Sequence, residues 1–366
     1  MNRQPQKPGS TKRTSPESWG QVLDYHLEAS KILAPAAGGE QEAFSPLPLR
    51  NLVPDTEVPF NLYIKCKPRD SSQADFILCC PKGQVFQKDW HHKLENLQVP
   101  WVYFPLKEDE AVLDYLHGNL QDISPEICGQ DPEKAAQVLD AMLLWMQHFF
   151  TSDRARTGSK MGMALDFIDL VFEFIKTNNC YLDLVAAIRQ LNHHDEYLFQ
   201  HSLNVCIFGL AFFNYLGLYS QDAKFFGMGA LLHDLGMTQV PRPILQKAGG
   251  LDEEEMKLIK RHPLLSCHML KHLSSFPNNT FQMVQQHHEN GDGSGYPMSL
   301  TGSATHMWAK ILRIVDSYES VTSGRPWRKA LTPKETLWAM RHEWEESQVY
   351  DSALLKYFIK FLGARE

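Results

Sequence analysis

At 366 residues, with 43% hydrophobic and 22% charged side chains, the chain has the length for two domains and the composition of an ordinary globular protein. A formal net charge of −7 argues against a general binder of nucleic acid or acidic membrane, though a local basic pocket is compatible with it, and no DNA or RNA partner is expected. The most apolar run, Cys206 to Leu218, is too short to span a membrane and is interrupted by Asn214, and the polar start MNRQPQKPGSTKRTSPE reads as no secretory leader.

In chain order, residues 1–16 read as a disordered tail rich in Pro, Ser, Lys and Arg. WGQVLDYHLEASKIL then predicts a short helix ended by APAAGG. PFNLYIKCK and ADFILCC predict strands with a turn at PKG, HKLENL a short helix, PWVYFPL a strand and EDEAVLDYLHGNL an amphipathic helix. Residues 17–130 are therefore expected to hold a small α/β module, with its core at about 44–125. It has no phosphate loop and no ligand cluster, and the adjacent His91 and His92 read as a surface pair. The module is expected to be regulatory or to mediate dimerisation, making the protein a homodimer.

From Asp131 the pattern becomes helical. PEKAAQVLDAMLLWMQHFF, MALDFIDLVFEFIKT and LDLVAAIRQL carry apolar residues at helical spacing. Asp252 and Glu255 frame one helix start, and Thr332, Pro333 and Glu335 another. The second domain, 131–366, is expected to be all-α, which makes the chain α+β overall. Seven scattered cysteines without paired-motif spacing suggest reduced thiols and a cytoplasmic location.

Nine of the sixteen histidines lie between residues 193 and 288. Consecutive helical side chains diverge by about 100°, so His233 and Asp234 in LLHDLGM can reach one ion only near a helix end, and Gly236 is expected to supply that end by turning left-handed. A carboxylate leaving a buried helix needs a partner, and a cation would serve; the same holds for Asp316 after ILRIV. A hydrogen-bonded polar pair is the alternative for His233 and Asp234 taken alone. With His201, His262, His287 and His288 added, the imidazole and carboxylate set suits Fe or Mn, with Zn or Ni as alternatives. Seven ligands are too many for one ion and suitable for two, which can hold a hydroxide between them and clamp a phosphoryl oxygen.

DEYLFQHSLNV, LLHDLG, HP, HHENGDGSGYP, VDSYESVTSGRPWR and ALTP, taken in that order and spacing, resemble the HD-GYP domain, a branch of the HD metal-dependent phosphohydrolases, over roughly residues 160–345. The resemblance implies an HD-type helical domain that hydrolyses the bacterial messenger cyclic di-GMP to pGpG or GMP. It implies one ion held by His201, His233, Asp234 and Asp316, and a second held by His262, His287 and His288, with Asp234 bridging. His233 and Asp234 would be the catalytic pair. It also gives the loop with Gly295 and Tyr296 a role in recognising nucleotide or diguanylate cyclase (GGDEF) domains, where a plain surface turn is the rival reading. Arg325 and Arg328 stand where the family keeps basic substrate contacts, although a solvated helix face is the usual fate of arginine. Asp195 matches as a substrate contact or a support for a ligand imidazole.

The chain departs from the family at HDxGK, where Met237 takes the place of a lysine that would bind the scissile phosphate or assist the leaving oxygen. A thioether can do neither. Losing one such contact costs about 2.7–4 kcal/mol of transition-state stabilisation. This departure makes a catalytically weak or silent receptor of cyclic di-GMP the alternative function. Tyr197 stands where members with a third ion carry glutamate, so two ions are expected. YES in place of the common YDA has no reading from sequence.

Overall fold

The computed structural model describes residues 32–35, 41–66, 75–121, 131–151, 157–178, 197–247, 249–273, 276–324 and 329–363. The chain divides into two compact units, residues 1–115 and 116–366.

In the first unit, β1 (Ile32–Pro35), β2 (Gln41–Pro48), β4 (Leu62–Cys66), β5 (Asp75–Cys80) and β7 (Trp101–Pro105) form an antiparallel sheet in the order β1-β2-β7-β4-β5. Along β4, Leu62, Ile64 and Cys66 are buried while Tyr63 and Lys65 are only half-buried, the two-residue alternation of a sheet with one core face. On the other face Phe44 stacks on Phe76 at 4.2 Å, and Tyr63 and Tyr103 meet this pair edge-on. A second ribbon pairs β3 (Thr56–Val58) with β6 (Gln84–Phe86). The helix α1 (Lys88–Asn96) carries His91 and His92 beside Glu95, and α2 (Asp109–Gln121) follows β7. The helix expected from Trp19 falls mostly outside the described residues. Its last two positions, Ile32 and Leu33, lie in β1, where pairing with Phe44 and Ala43 overrides the helical spacing.

The described secondary structure of the second unit is helical: α3 (Pro132–Thr151), α4 (Gly158–Asn178), α5 (Tyr197–Tyr215), α6 (Ser220–Leu232), α7 (Arg242–Leu245), α8 (Glu253–Ile259), α9 (His262–Leu273), α10 (Asn278–Gln286), α11 (Met307–Thr322), α12 (Pro333–Ser347) and α13 (Ser352–Gly363). LDLVAAIRQL lies outside the described residues. The helix α5 is buried along almost its whole length, with Leu203, Val205, Ile207, Leu210 and Phe212 all at 0% exposure. A helix apolar on every side needs neighbours all round, and α5 packs against α4, α6 and α11. Both expected capping boxes are present: Asp252 with Glu255 opens α8, and Thr332 with Glu335 opens α12. Among the described residues no helix is long and apolar enough to cross a membrane.

Candidate metal centre

Three of the histidines expected to act together, His233, His262 and His287, sit at helix ends, where the chain has carbonyl groups without helical partners. His233 follows the last turn of α6, and its Nδ1 donates to the Ala230 carbonyl at 2.7 Å. His287 follows α10 and donates in the same way to Val284 at 2.7 Å. His262 opens α9 and donates back to Ile259, the last residue of α8, at 2.8 Å. In all three imidazoles the Nδ1 proton is engaged, which leaves Nε2 as the ligand atom, and the Nε2 atoms of His262 and His287 lie 3.2 Å apart.

These Nε2 atoms converge on Asp234. Its Oδ2 lies 3.6 Å from His233 Nε2 and 3.8 Å from His201 Nε2, while its Oδ1 lies 3.1 Å from His262 Nε2 and 3.8 Å from His287 Nε2. Asp316, on α11, closes the first side at 3.2 Å from His201 and 4.0 Å from His233. The ligand atoms of His201, His233 and Asp316 form one group, and those of Asp234, His262, His287 and His288 form the other, with every pair inside a group within 4.8 Å. Chain segments more than a hundred residues apart thus bring all seven side chains into two adjoining clusters.

Asp234 leaves the helix where α6 gives way to a 3-10 turn, Leu235–Gln239. Gly236 does not turn left-handed there, contrary to the sequence expectation. Its backbone instead presses on α9: an added Cβ would stand 2.3 Å from the His262 carbonyl oxygen, and its N–H donates to Ser266 Oγ at 2.7 Å. The glycine is needed for close approach, which brings Asp234 and His262 together.

Buried imidazoles and carboxylates shift one another's titration across the set. Burial disfavours charge on His201, yet the Glu319 and Asp316 carboxylates outweigh it and push its pKa up to about 10. Burial also opposes the Asp234 charge, but the His233, His262 and His201 imidazoles hold its pKa well below the usual carboxylate value. Burial is likewise outweighed at His262, where Asp234 raises the pKa. Burial pushes His287 well down and His288 down to about 3, so both present neutral nitrogens. His233 Nε2 is buried with no hydrogen-bond partner among the described residues. With Nδ1 donating to Ala230, its lone pair faces two carboxylates, which repel it unless a positive ion lies between. The residues therefore fit divalent metal, with N and O donors and no thiolate.

Glu319 is the residue that sequence reasoning missed. It is the glutamate of YES and lies 0% exposed one turn beyond Asp316. It accepts from His201 Nδ1 at 2.5 Å, Asn204 Nδ2 at 2.8 Å and Ser323 Oγ at 2.5 Å. This carboxylate aims His201 Nε2 at Asp234 and Asp316 and raises the basicity of the ring. The spacing of three residues from Asp316 on α11 was a usable signal. Glu319→Gln is expected to weaken metal binding roughly 10- to 100-fold, measured by chelator competition; wild-type affinity in the variant would remove the assigned role.

The loop after His288 is built rather than loose. Glu289 is buried, and its carboxylate accepts the Met298 and Leu300 N–H groups at 2.6 and 2.8 Å. At Gly295 a Cβ would lie 2.3 Å from the Asn290 nitrogen and 2.4 Å from the His288 carbonyl oxygen, so only glycine passes there. Tyr296 stacks on His288, with ring centroids 4.7 Å apart. Met237 is half-buried, with its N–H bonded to the Asp234 carbonyl at 2.8 Å. Asp195, Arg325 and Arg328 lie outside the described residues, and nothing of the Tyr197 side chain is described.

Residues 191–354 match the model of the HD domain family. Over 208 residues the chain is 31% identical to "Cyclic di-GMP phosphodiesterase PA4108" of Pseudomonas aeruginosa, covering 56% of this chain and 50% of that protein. Over 160 residues it is 34% identical to "3'3'-cGAMP-specific phosphodiesterase 1" of Vibrio cholerae, covering 43% and 37%. The chain thus spans half or less of the length of these two curated relatives. Among solved structures, Bd1817, an HDG"Y"P protein from Bdellovibrio bacteriovorus, superposes with a TM-score of 0.57 at 16% identity, covering 87% of this chain and 99% of that one, which shows a shared fold.

Proposed function

We propose, from the HD domain match over residues 191–354 and the resemblance to the HD-GYP family, that the protein is a metal-dependent phosphodiesterase acting on cyclic di-GMP. The carrying observation is the Asp234 carboxylate, one oxygen facing His201 and His233 and the other facing His262 and His287. The reading assigns one ion to His201, His233, Asp234 and Asp316 and the other to His262, His287, His288 and Asp234. Bound there, a pair of Fe or Mn ions would supply water of lowered pKa and positive charge for the phosphoryl oxygens.

The chain's own groups do the rest. Asp234 joins the two halves, and Glu319 fixes the ring of His201. The Ala230, Ile259 and Val284 carbonyls keep protons on Nδ1 and off the ligand nitrogens. Tyr296 offers an aromatic face beside His288 on which a guanine base can stack. Arg325, Arg328 and Asp195 complete the substrate contacts in this reading. Met237 leaves the scissile phosphate without a side-chain cation and the leaving oxygen without a proton donor at that position.

The same methionine favours one second reading, a receptor that binds cyclic di-GMP and turns it over slowly or not at all. In either reading residues 17–130 form a regulatory or dimerisation module.

Protein purified without oxygen and loaded with Mn or Fe tests the primary reading. The expected result is two ions per chain and conversion of cyclic di-GMP to pGpG or GMP. Cyclic di-GMP left intact over hours at micromolar enzyme would overturn it, and preferential cleavage of 3'3'-cGAMP would reassign the substrate.

A further inference from the structure

We propose that Lys260 is the cation that holds the second, uncleaved phosphate of the cyclic dinucleotide; this rests on the substrate class proposed above. Lys260 caps the C-terminus of α8. It follows Ile259, whose carbonyl receives the His262 Nδ1 proton, and precedes His262 by two residues. Its backbone is therefore tied to the metal centre. Its ammonium lies 5.4 Å from the centroid of the Tyr296 ring, and that ring lies 4.7 Å from His288. The two separations keep the ammonium within about 10 Å of the His288 ring.

Neighbouring lysines are differently employed. Lys257 pairs with Glu254 at 2.6 Å and Lys247 with Glu255 at 2.5 Å. Lys260 is exposed and makes no ion pair with a described residue. An exposed ammonium beside an aromatic ring is held weakly and is available to an anion.

Charge balance gives the reason for it. The carboxylates Asp234, Asp316 and Glu319 set against two divalent ions leave a surplus of one positive charge at most, and none once a hydroxide is held between the ions. A cyclic dinucleotide brings two negative charges. The Glu289 carboxylate and the Arg313 guanidinium, which bonds Asn290 at 3.0 Å, offset each other behind the loop. Met237 adds nothing. The dianion therefore calls for further positive charge, and Lys260 supplies one unit of it at the side of Tyr296.

Lys260→Ala and Lys260→Arg, measured for equilibrium binding of cyclic di-GMP by the full metal-loaded chain, test the proposal. The alanine variant is expected to keep both ions and lose about tenfold or more in affinity at low salt, as removal of a charge-assisted hydrogen bond implies. That gap should narrow as ionic strength rises, and arginine should restore most of the affinity. Wild-type affinity in the alanine variant, a loss that salt does not change, or a loss matched by a fall in metal content would each overturn it. Failure of the wild-type chain itself to bind cyclic di-GMP would instead sink the substrate class, and the role of Lys260 with it.

Discussion

Asp234→Asn is expected to leave the helices folded, hold less than a full pair of metal ions and lower hydrolysis of cyclic di-GMP about a thousandfold. The substitution keeps size and shape and removes charge. Asp234 is the only residue whose two oxygens reach both clusters among the described residues, at 3.1 Å to His262 on one side and 3.6 Å to His233 on the other. An amide offers one acceptor oxygen, and its NH2 would confront either His233 or His262. Losing the bridging charge forfeits several kcal/mol of stabilisation at the phosphoryl group, and about 4 kcal/mol corresponds to a factor of roughly 10³. Metal content by mass spectrometry and turnover on the same sample check it. Two retained ions with near wild-type turnover would show that the carboxylate does not join the halves.

Met237→Lys is expected to raise kcat about a hundredfold with little change in substrate affinity. Residue 237 lies one 3-10 turn after Asp234, and its N–H is fixed to the Asp234 carbonyl. The segment is held on α9 by Gly236, so the backbone has no room to shift when the side chain changes. A lysine there adds charge where negative charge grows during the reaction, a contribution of about 2.7–4 kcal/mol for comparable donors. Such a gain belongs to kcat because it acts in the transition state more than in the bound substrate. No gain in the lysine variant of an active wild type would mean that this chain completes the chemistry without that cation. The two lysine experiments separate in the proposed reading, which assigns position 237 to the phosphate being cut and position 260 to the one that is kept.

Much of the architecture was legible. Alternation marked β4, a short apolar run marked β5, helical spacing marked α3 and α4, and the residues Asp252, Glu255, Thr332 and Glu335 marked two helix starts to the residue. These are local properties, written in the order of neighbouring side chains. β2 was not legible, because Gln41–Pro48 contains two prolines and draws its strand character from pairing with β1 and β7. Gly236 was recognised as a breaker with the wrong reason attached: local rules know glycine as a turn former, whereas its use here is contact with a helix that begins 26 residues later.

By itself the sequence determined which side chains can donate to a metal, that His233 and Asp234 stand near a helix end, and that residue 237 carries no charge. Only the tertiary structure decided which oxygen of Asp234 faces which imidazoles, that three helix-end carbonyls hold the protons on Nδ1, and that Glu319 stands behind His201 from 118 residues away. The physical reason is range. Where a helix ends depends on neighbours in the chain, but the direction in which a side chain then points becomes a contact only when packing of α5, α6, α9, α10 and α11 sets the facing surfaces.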